Sequence, residues 1–213
     1  MRIRLFFYNQ ALRIYIRIRY KFALAKAHYY DKKFGIKTAE DYVSPEDKNF
    51  DIDQARYSPT FYGVLKQMVD YLKLKEEDAF VDLGCGKGRV VFWVALQKIK
   101  KAVGVEINKN LIEIARDNLL KLKLRNSPID FVQTDVVNFD LREGTVFFMF
   151  NPFGLETLEK VVNNIKDSLT TNPRRIRIIY YGPMYGNFLD KQDWLIREGK
   201  IVNQDCLVWR SCF

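Results

Sequence analysis

Apolar positions along this chain recur in two rhythms, and the two alternate. One is a short, nearly unbroken apolar run, found at residues 80–83, 101–107, 129–135, 144–150 and 175–181. Runs of that length between turn residues predict strands buried on both faces, as in a parallel sheet. The other rhythm is a spacing of three and four. Phe61, Val64, Leu65, Met68, Val69 and Leu72 follow it, as do Leu111, Ile114, Ala115, Asn118 and Leu119, and then Leu158, Val161, Val162, Ile165 and Leu169. These stripes predict helices, the second with Asn108 as its N-cap. Residues 90–96 add an apolar segment of helical length. Two last strands, near 194–202 and 206–212, flank Asn203, Gln204 and Asp205 and predict a hairpin. Strands alternating with helices and closed by a hairpin predict an α/β domain on a mostly parallel sheet.

The first strand runs straight into Gly84-Cys85-Gly86-Lys87-Gly88. Glycines at a strand-to-helix turn let the backbone approach a ligand where a side chain would collide, and the new helix points free N–H groups at it. The turn is a candidate nucleotide-type site. A dinucleotide turn reads G-x-G-x-x-G. Here the third glycine comes one residue early, and Asp82 stands two residues before the first. Glu106 ends the second apolar run, 22 positions after Gly84, where an acid can accept hydrogen bonds from ribose hydroxyls. The fourth run ends in Asn151-Pro152-Phe153-Gly154. Asn-Pro and Phe-Gly punctuate structure in their own right, but ligands of open α/β sheets also sit at the carboxyl ends of strands.

The pattern D-x-G-x-G-x-G from Asp82 to Gly88 resembles the first motif of class I S-adenosylmethionine-dependent methyltransferases. The resemblance implies a Rossmann-like seven-stranded methyltransferase sheet with an antiparallel last strand, here preceded by an N-terminal helical extension. It implies S-adenosyl-L-methionine as the cofactor. Asp82 and the turn residues Gly84, Cys85, Gly86 and Gly88 would hold its methionine part. Glu106, with Ile107 beside it, would take the ribose, and Asp135 with Val136 the adenine edge. Asn151 would face the methyl group. Many amine-methylating members carry Asn/Asp-Pro-Pro-Tyr/Phe at this place. Asn151 and the Pro152 carbonyl would then orient an acceptor nitrogen, with Phe153 as a wall. The second Pro is missing here, a departure from the enzymes that methylate nucleic-acid adenine.

The resemblance narrows upstream of the turn. Tyr57-x-Pro59-Thr60, a helix, then Asp-Leu-Gly-Cys-Gly-x-Gly-Arg and Val-Gly-Val-Glu-Ile-Asn are similar to a group of bacterial and archaeal class I methyltransferases. Some of these methylate protein lysines and share features with histone-lysine methyltransferases of the non-SET type. Phe-Gly-x-x-Thr, ending at Thr38, and Asn-Pro-Phe-Gly resemble largely uncharacterised bacterial members. The similarity covers about residues 31–182. It implies that Tyr57, Pro59 and Thr60 cap the methionine end of the cofactor, with Tyr57 orienting an amine. The expected function is direct methyl transfer to a protein lysine or other amine. An RNA or small-molecule methyltransferase remains open. From other classes, so do a nicotinamide-dependent oxidoreductase and a non-catalytic module that keeps the cofactor fold.

Composition changes this picture mainly at the N-terminus. At 213 residues and 48% hydrophobic, the chain suits one methyltransferase domain, residues 55–213, after a basic extension and linker, residues 1–54. Cys85, Cys206 and Cys212 have no metal-type spacing, and the single histidine, His28, makes neither a metal cluster nor a His-based triad. The cysteines fit a reducing compartment, and a cytoplasmic location is expected. Residues 1–40 hold ten Lys/Arg and two Asp/Glu, so +8 of the formal +9 lies there. As a helix this segment would place Arg13, Arg17 and Lys21 in one row. As a strand, residues 12–20 alternate equally well, so the period does not decide. It has no small-residue cleavage site and no span of 18 uncharged apolar residues, so neither a signal peptide nor a transmembrane segment is expected. Three uses stay open: contact with an anionic membrane surface, contact with RNA or another polyanion, and simple packing on the domain.

Overall fold

The computed structural model describes residues 2–39, 57–201 and 206–212, with side chains from residue 17 onward. The acidic linker stretch 40–53, Ala55, Arg56, the side chain of Arg13 and the hairpin residues Asn203, Gln204 and Asp205 lie outside the described residues. In chain order the elements are α1 (Arg2–Phe34), α2 (Tyr62–Leu72), β1 (Ala79–Leu83), α3 (Arg89–Val94), β2 (Lys101–Glu106) and α4 (Lys109–Lys121). Then come β3 (Ile129–Gln133), a 3-10 turn (Val136–Asn138), β4 (Val146–Phe150), α5 (Leu155–Thr171), β5 (Arg177–Tyr181), α6 (Gly186–Asp190), β6 (Leu195–Ile201) and β7 (Cys206–Ser211).

The seven strands form one sheet in the order β3-β2-β1-β4-β5-β7-β6. The first five run parallel, and β7 lies antiparallel between β5 and β6. Chain order reverses between β1 and β4, which pair directly. The crevice at such a reversal, beyond the carboxyl ends of the strands, is where α/β sheets bind ligands. The expected seven-stranded methyltransferase sheet and the terminal hairpin are both present.

Each strand alternates between two packed faces. Val81, Leu83, Val103, Val105, Phe147, Met149, Ile178 and Tyr180 meet Leu158, Val161, Val162, Ile165 and Leu169 of α5, the predicted stripe. Phe80, Ala102, Phe148, Ile179 and Val208 meet α2, α3, α4 and the end of α1 on the other face. Asp82 pairs in register with Gly104, and Glu106 follows two residues on. The period of two therefore puts Asp82, Gly104 and Glu106 together on the α1–α4 face.

Several local expectations shift. The ambiguous N-terminal segment is helix. In α2 the buried stripe starts at Tyr62, not at Phe61, which serves as N-cap and is 38% exposed, edge-on to Tyr20 of α1. A residue before the first turn no longer follows the helical phase. The helix after the glycine turn ends at Val94, two residues before the predicted end. The third strand stops at Gln133, because Asp135 accepts from the Val137 N–H at 3.0 Å and starts the 3-10 turn. Asn108 caps α4 as expected, its Oδ1 accepting from the N–H groups of Asn110 and Leu111 at 3.0 and 3.2 Å.

Candidate active site

The glycine turn is held from below. Gly84 and Cys85 donate their N–H groups to the Val105 carbonyl at 2.9 and 3.0 Å, and Gly88 closes the turn onto Cys85 at 2.9 Å. Gly84, Gly86 and Gly88 have φ of +83°, +53° and +85°, a region where an L side chain is strained. At the first two, other parts of the chain already occupy the space. A Cβ on Gly84 would stand 2.5 Å from Pro152 Cβ, and one on Gly86 would stand 2.5 Å from the Tyr57 ring. The absent side chains thus bring the Asn151–Gly154 loop and the Tyr57 segment directly onto the turn.

Two carboxylates lie under it. Glu106 is 8% exposed. Its Oε2 accepts from the Gly86 N–H and its Oε1 from the Asn108 N–H, both at 2.9 Å. Those bonds moderate the upward push of burial on its pKa without cancelling it. Each oxygen keeps a further lone pair. Asp82 is 2% exposed, and its Oδ2 has no hydrogen-bond partner. Burial, then the neighbouring Glu106 charge, hold its carboxyl well above the usual carboxylate range. An unpartnered carboxylate oxygen beside an open glycine turn is costly in isolation and well matched to a cationic or hydrogen-bonding ligand. Cys85 points inward, where Gly104 leaves room for its sulfur, and burial pushes its thiol up. Ile107 is 47% exposed beyond Glu106. Val136 is instead buried in the α5-side core, while Asp135 caps the following turn.

Tyr57 and Thr60 are held by residues whose roles no local pattern reveals. The Tyr57 hydroxyl donates to the Thr38 carbonyl at 2.9 Å, and burial raises its pKa. Its ring carries the Lys87 ammonium 4.9 Å from the centroid. Arg89, 3% exposed, donates to Thr38 Oγ1 at 2.7 Å and to the Thr60 carbonyl at 3.2 Å, and lies over the Tyr62 ring. Asp31 of α1 accepts from the Thr38 N–H, the Ala39 N–H, the Thr38 hydroxyl and the Tyr62 hydroxyl. Asn118 of α4 ties the Lys37 backbone to the Lys87 carbonyl. The end of α1, the Tyr57–Thr60 segment and the glycine turn are thereby one hydrogen-bonded body. Pro59 is half-buried within it.

On the far side of the turn, Asn151 has φ +40°, one of two non-glycine residues in the left-handed region among those described. Asn tolerates that region better than most residues. Its Oδ1 accepts a long bond, 3.4 Å, from the Met184 N–H. Phe150 and Tyr181 pack with ring centroids 4.4 Å apart, and strand alternation puts both on the same face as Asp82. Phe153 turns the other way and packs against the α5-side core. Asp82, Glu106, Tyr57 and Asn151–Pro152 thus meet around one turn, whereas Val136 and Phe153 contribute to packing.

Residues 43–181 match the family described as histone methylation protein DOT1. The chain belongs to this family. A protein-lysine N-methyltransferase from Saccharolobus islandicus is 37% identical over 95 residues, which is 44% of this chain and 58% of that one. A histone-lysine N-methyltransferase specific for H3 lysine-79, from Dictyostelium discoideum, is 36% identical over 118 residues, 47% of this chain and 6% of that one. The chain therefore spans less than two thirds of either relative. An RNA methyltransferase from Salinibacter ruber, solved with S-adenosyl-L-homocysteine, superposes with a TM-score of 0.51 at 20% identity, covering 72% of this chain and 92% of that one. This DOT1-family chain has the class I S-adenosylmethionine-dependent methyltransferase fold.

Asp31 entered no motif, and Thr38, Arg89 and Asn118 were read within motifs or a helical stripe without a role at this site. Asn118 had a signal: an amide inside an apolar helical stripe has to find partners when buried. Arg89 had another, as a cation at the head of an apolar helix.

Proposed function

We propose that this chain is a methyltransferase that uses S-adenosylmethionine and modifies an amine, with a protein lysine as the acceptor. The observation that carries the cofactor assignment is the buried, unpartnered Asp82 carboxylate oxygen beside three left-handed glycines and the Glu106 carboxylate. These residues fit the cofactor: Asp82 would face its amino-acid part, the turn would cradle it, and the remaining Glu106 lone pairs would accept from ribose hydroxyls. Bound there, S-adenosylmethionine supplies a methyl group activated by a sulfonium.

The chain's own residues do the rest by orientation and by excluding water. Pro152 packs directly against Gly84 of the turn. Asn151 Oδ1, engaged only in a long bond, would accept from the acceptor nitrogen together with the Pro152 carbonyl. The Phe150–Tyr181 pair offers π surface to a cationic or partly charged amine. The Tyr57 hydroxyl is committed to Thr38 and stays protonated, so its part is to cap the site. The names of the two lysine-methylating relatives support a protein acceptor.

Calorimetric titration with S-adenosylhomocysteine tests the cofactor site. Glu106→Ala is expected to weaken binding about 100-fold, the loss of two or more hydrogen bonds to a charged group. Asn151→Ala should leave it within about twofold while turnover falls. Unchanged affinity in both Glu106→Ala and Asp82→Ala would refute the assignment. A lysine acceptor attacks only as the free amine, so its methylation rate should climb about tenfold per pH unit below the amine's pKa. RNA acceptors labelled in preference to lysine peptides would replace the acceptor reading and leave the cofactor reading standing.

A further inference from the structure

Helix α1 has two apolar faces, and among the described residues the domain covers only one. Ala27, Asp31 and Phe34 are buried against the domain at a spacing of four and three. On a helix advancing about 100° per residue, Ile18, Phe22 and Tyr29 project on the opposite side. They are 49%, 73% and 62% exposed. Exposed basic residues border this stripe: Lys21 and Lys32 on one flank, Lys26 and Lys33 on the other. Residues 1–30 contain no Asp or Glu, and Asp31 is buried in bonds to Thr38, Ala39 and Tyr62. The outward face therefore has an apolar centre, cationic margins and no acid of its own. At 33 residues the helix is about 50 Å long, and no described helix is long and apolar enough to cross a membrane.

We propose that the outward face of α1 docks on an anionic lipid bilayer. A helix with an apolar centre between two basic rows lies in the interface plane, its apolar side chains about 5–10 Å into the headgroup boundary and its cations against lipid phosphates. The charge is complementary to such a surface. Single-stranded nucleic acid would also meet the cations and could stack on Phe22 and Tyr29. Ile18 offers no ring to a base, and three apolar residues in one continuous stripe match a lipid boundary better. The inference does not rest on methyl transfer.

The test is flotation of the full chain with phosphatidylcholine vesicles, with and without phosphatidylglycerol, beside anisotropy titration of a single-stranded RNA. Binding is expected only to the anionic vesicles, weakening as salt rises. Ile18→Glu/Phe22→Glu should abolish it. These side chains are exposed, so the thermal unfolding midpoint should stay put. Lys21→Glu/Lys26→Glu gives an independent readout, with an expected loss of about 20-fold or more at about fivefold per basic residue. Equal binding to neutral and anionic vesicles, undiminished binding by Ile18→Glu/Phe22→Glu, or RNA binding without vesicle binding would each overturn the proposal.

Discussion

The two faces of the sheet are built on different terms. The α5 face is a hydrocarbon interface in which Val161, Val162, Ile165, Ile178 and Trp209 are fully buried. The α1–α4 face buries comparable apolar surface, but it also encloses Asp31, Asp82, Lys87, Arg89 and Glu106. One face stabilises the fold, and the other accepts the cost of buried charge to shape a site. Stability and ligand affinity should therefore separate by face.

The largest effect expected from breaking that contrast is at Asp31. Asp31→Ala removes four hydrogen bonds and leaves the donors of Thr38, Ala39 and Tyr62 unpaired, costing about 3–5 kcal/mol of stability and weakening S-adenosylhomocysteine binding as well. Urea unfolding and calorimetry together read both. Ile165→Ala, on the other face, should cost about 3 kcal/mol through a cavity in the core, with ligand affinity unchanged in the folded fraction. A parallel loss of affinity would show that the faces are coupled.

A smaller effect of opposite sign sharpens the comparison. Asp82→Asn should stabilise the ligand-free protein by about 1 kcal/mol, or roughly 2–4 °C in Tm, while abolishing cofactor binding. Its carboxyl is held above the usual range, so the folded state keeps a proton that the unfolded state releases. The destabilising contribution is absent below the unfolded pKa and grows as pH rises through the folded one. The gain should be present near about pH 7 and gone near about pH 4. The smallest effect concerns φ at Asn151. Asn151→Gly should preserve stability and Asn151→Ala lose about 1 kcal/mol, while both lower turnover.

Much of this was legible in the chain. Parallel strands announce themselves because both faces are buried and the apolar run is continuous, as at Val146–Phe150. Asn108 was legible because an N-cap is a local decision. The glycine turn was legible as a site, but the full reason for its glycines was not. Their missing side chains admit Pro152 and Tyr57, contacts that no local pattern encodes. The roles of Asp31, Thr38 and Arg89 escaped notice for the same reason. The Arg89–Thr38 bond joins residues 51 positions apart, and Asn118–Lys37 joins residues 81 apart. Helix α6 spans five residues, too few to show a period.

Helix α1 is at once a root and an arm. Its root, from Ala27 onward, supplies Asp31 and leads into Thr38, which together seat Arg89 and Tyr57. A chain shortened to begin at residue 41 would lose that seat. Buried Arg89 would then face Tyr62 without Thr38 or Asp31, and a failure to bind ligand would say nothing about the arm. Cutting before Ala27 instead removes Ile18 and Phe22 and leaves the seat in place, so the two halves of one uninterrupted helix can be interrogated separately.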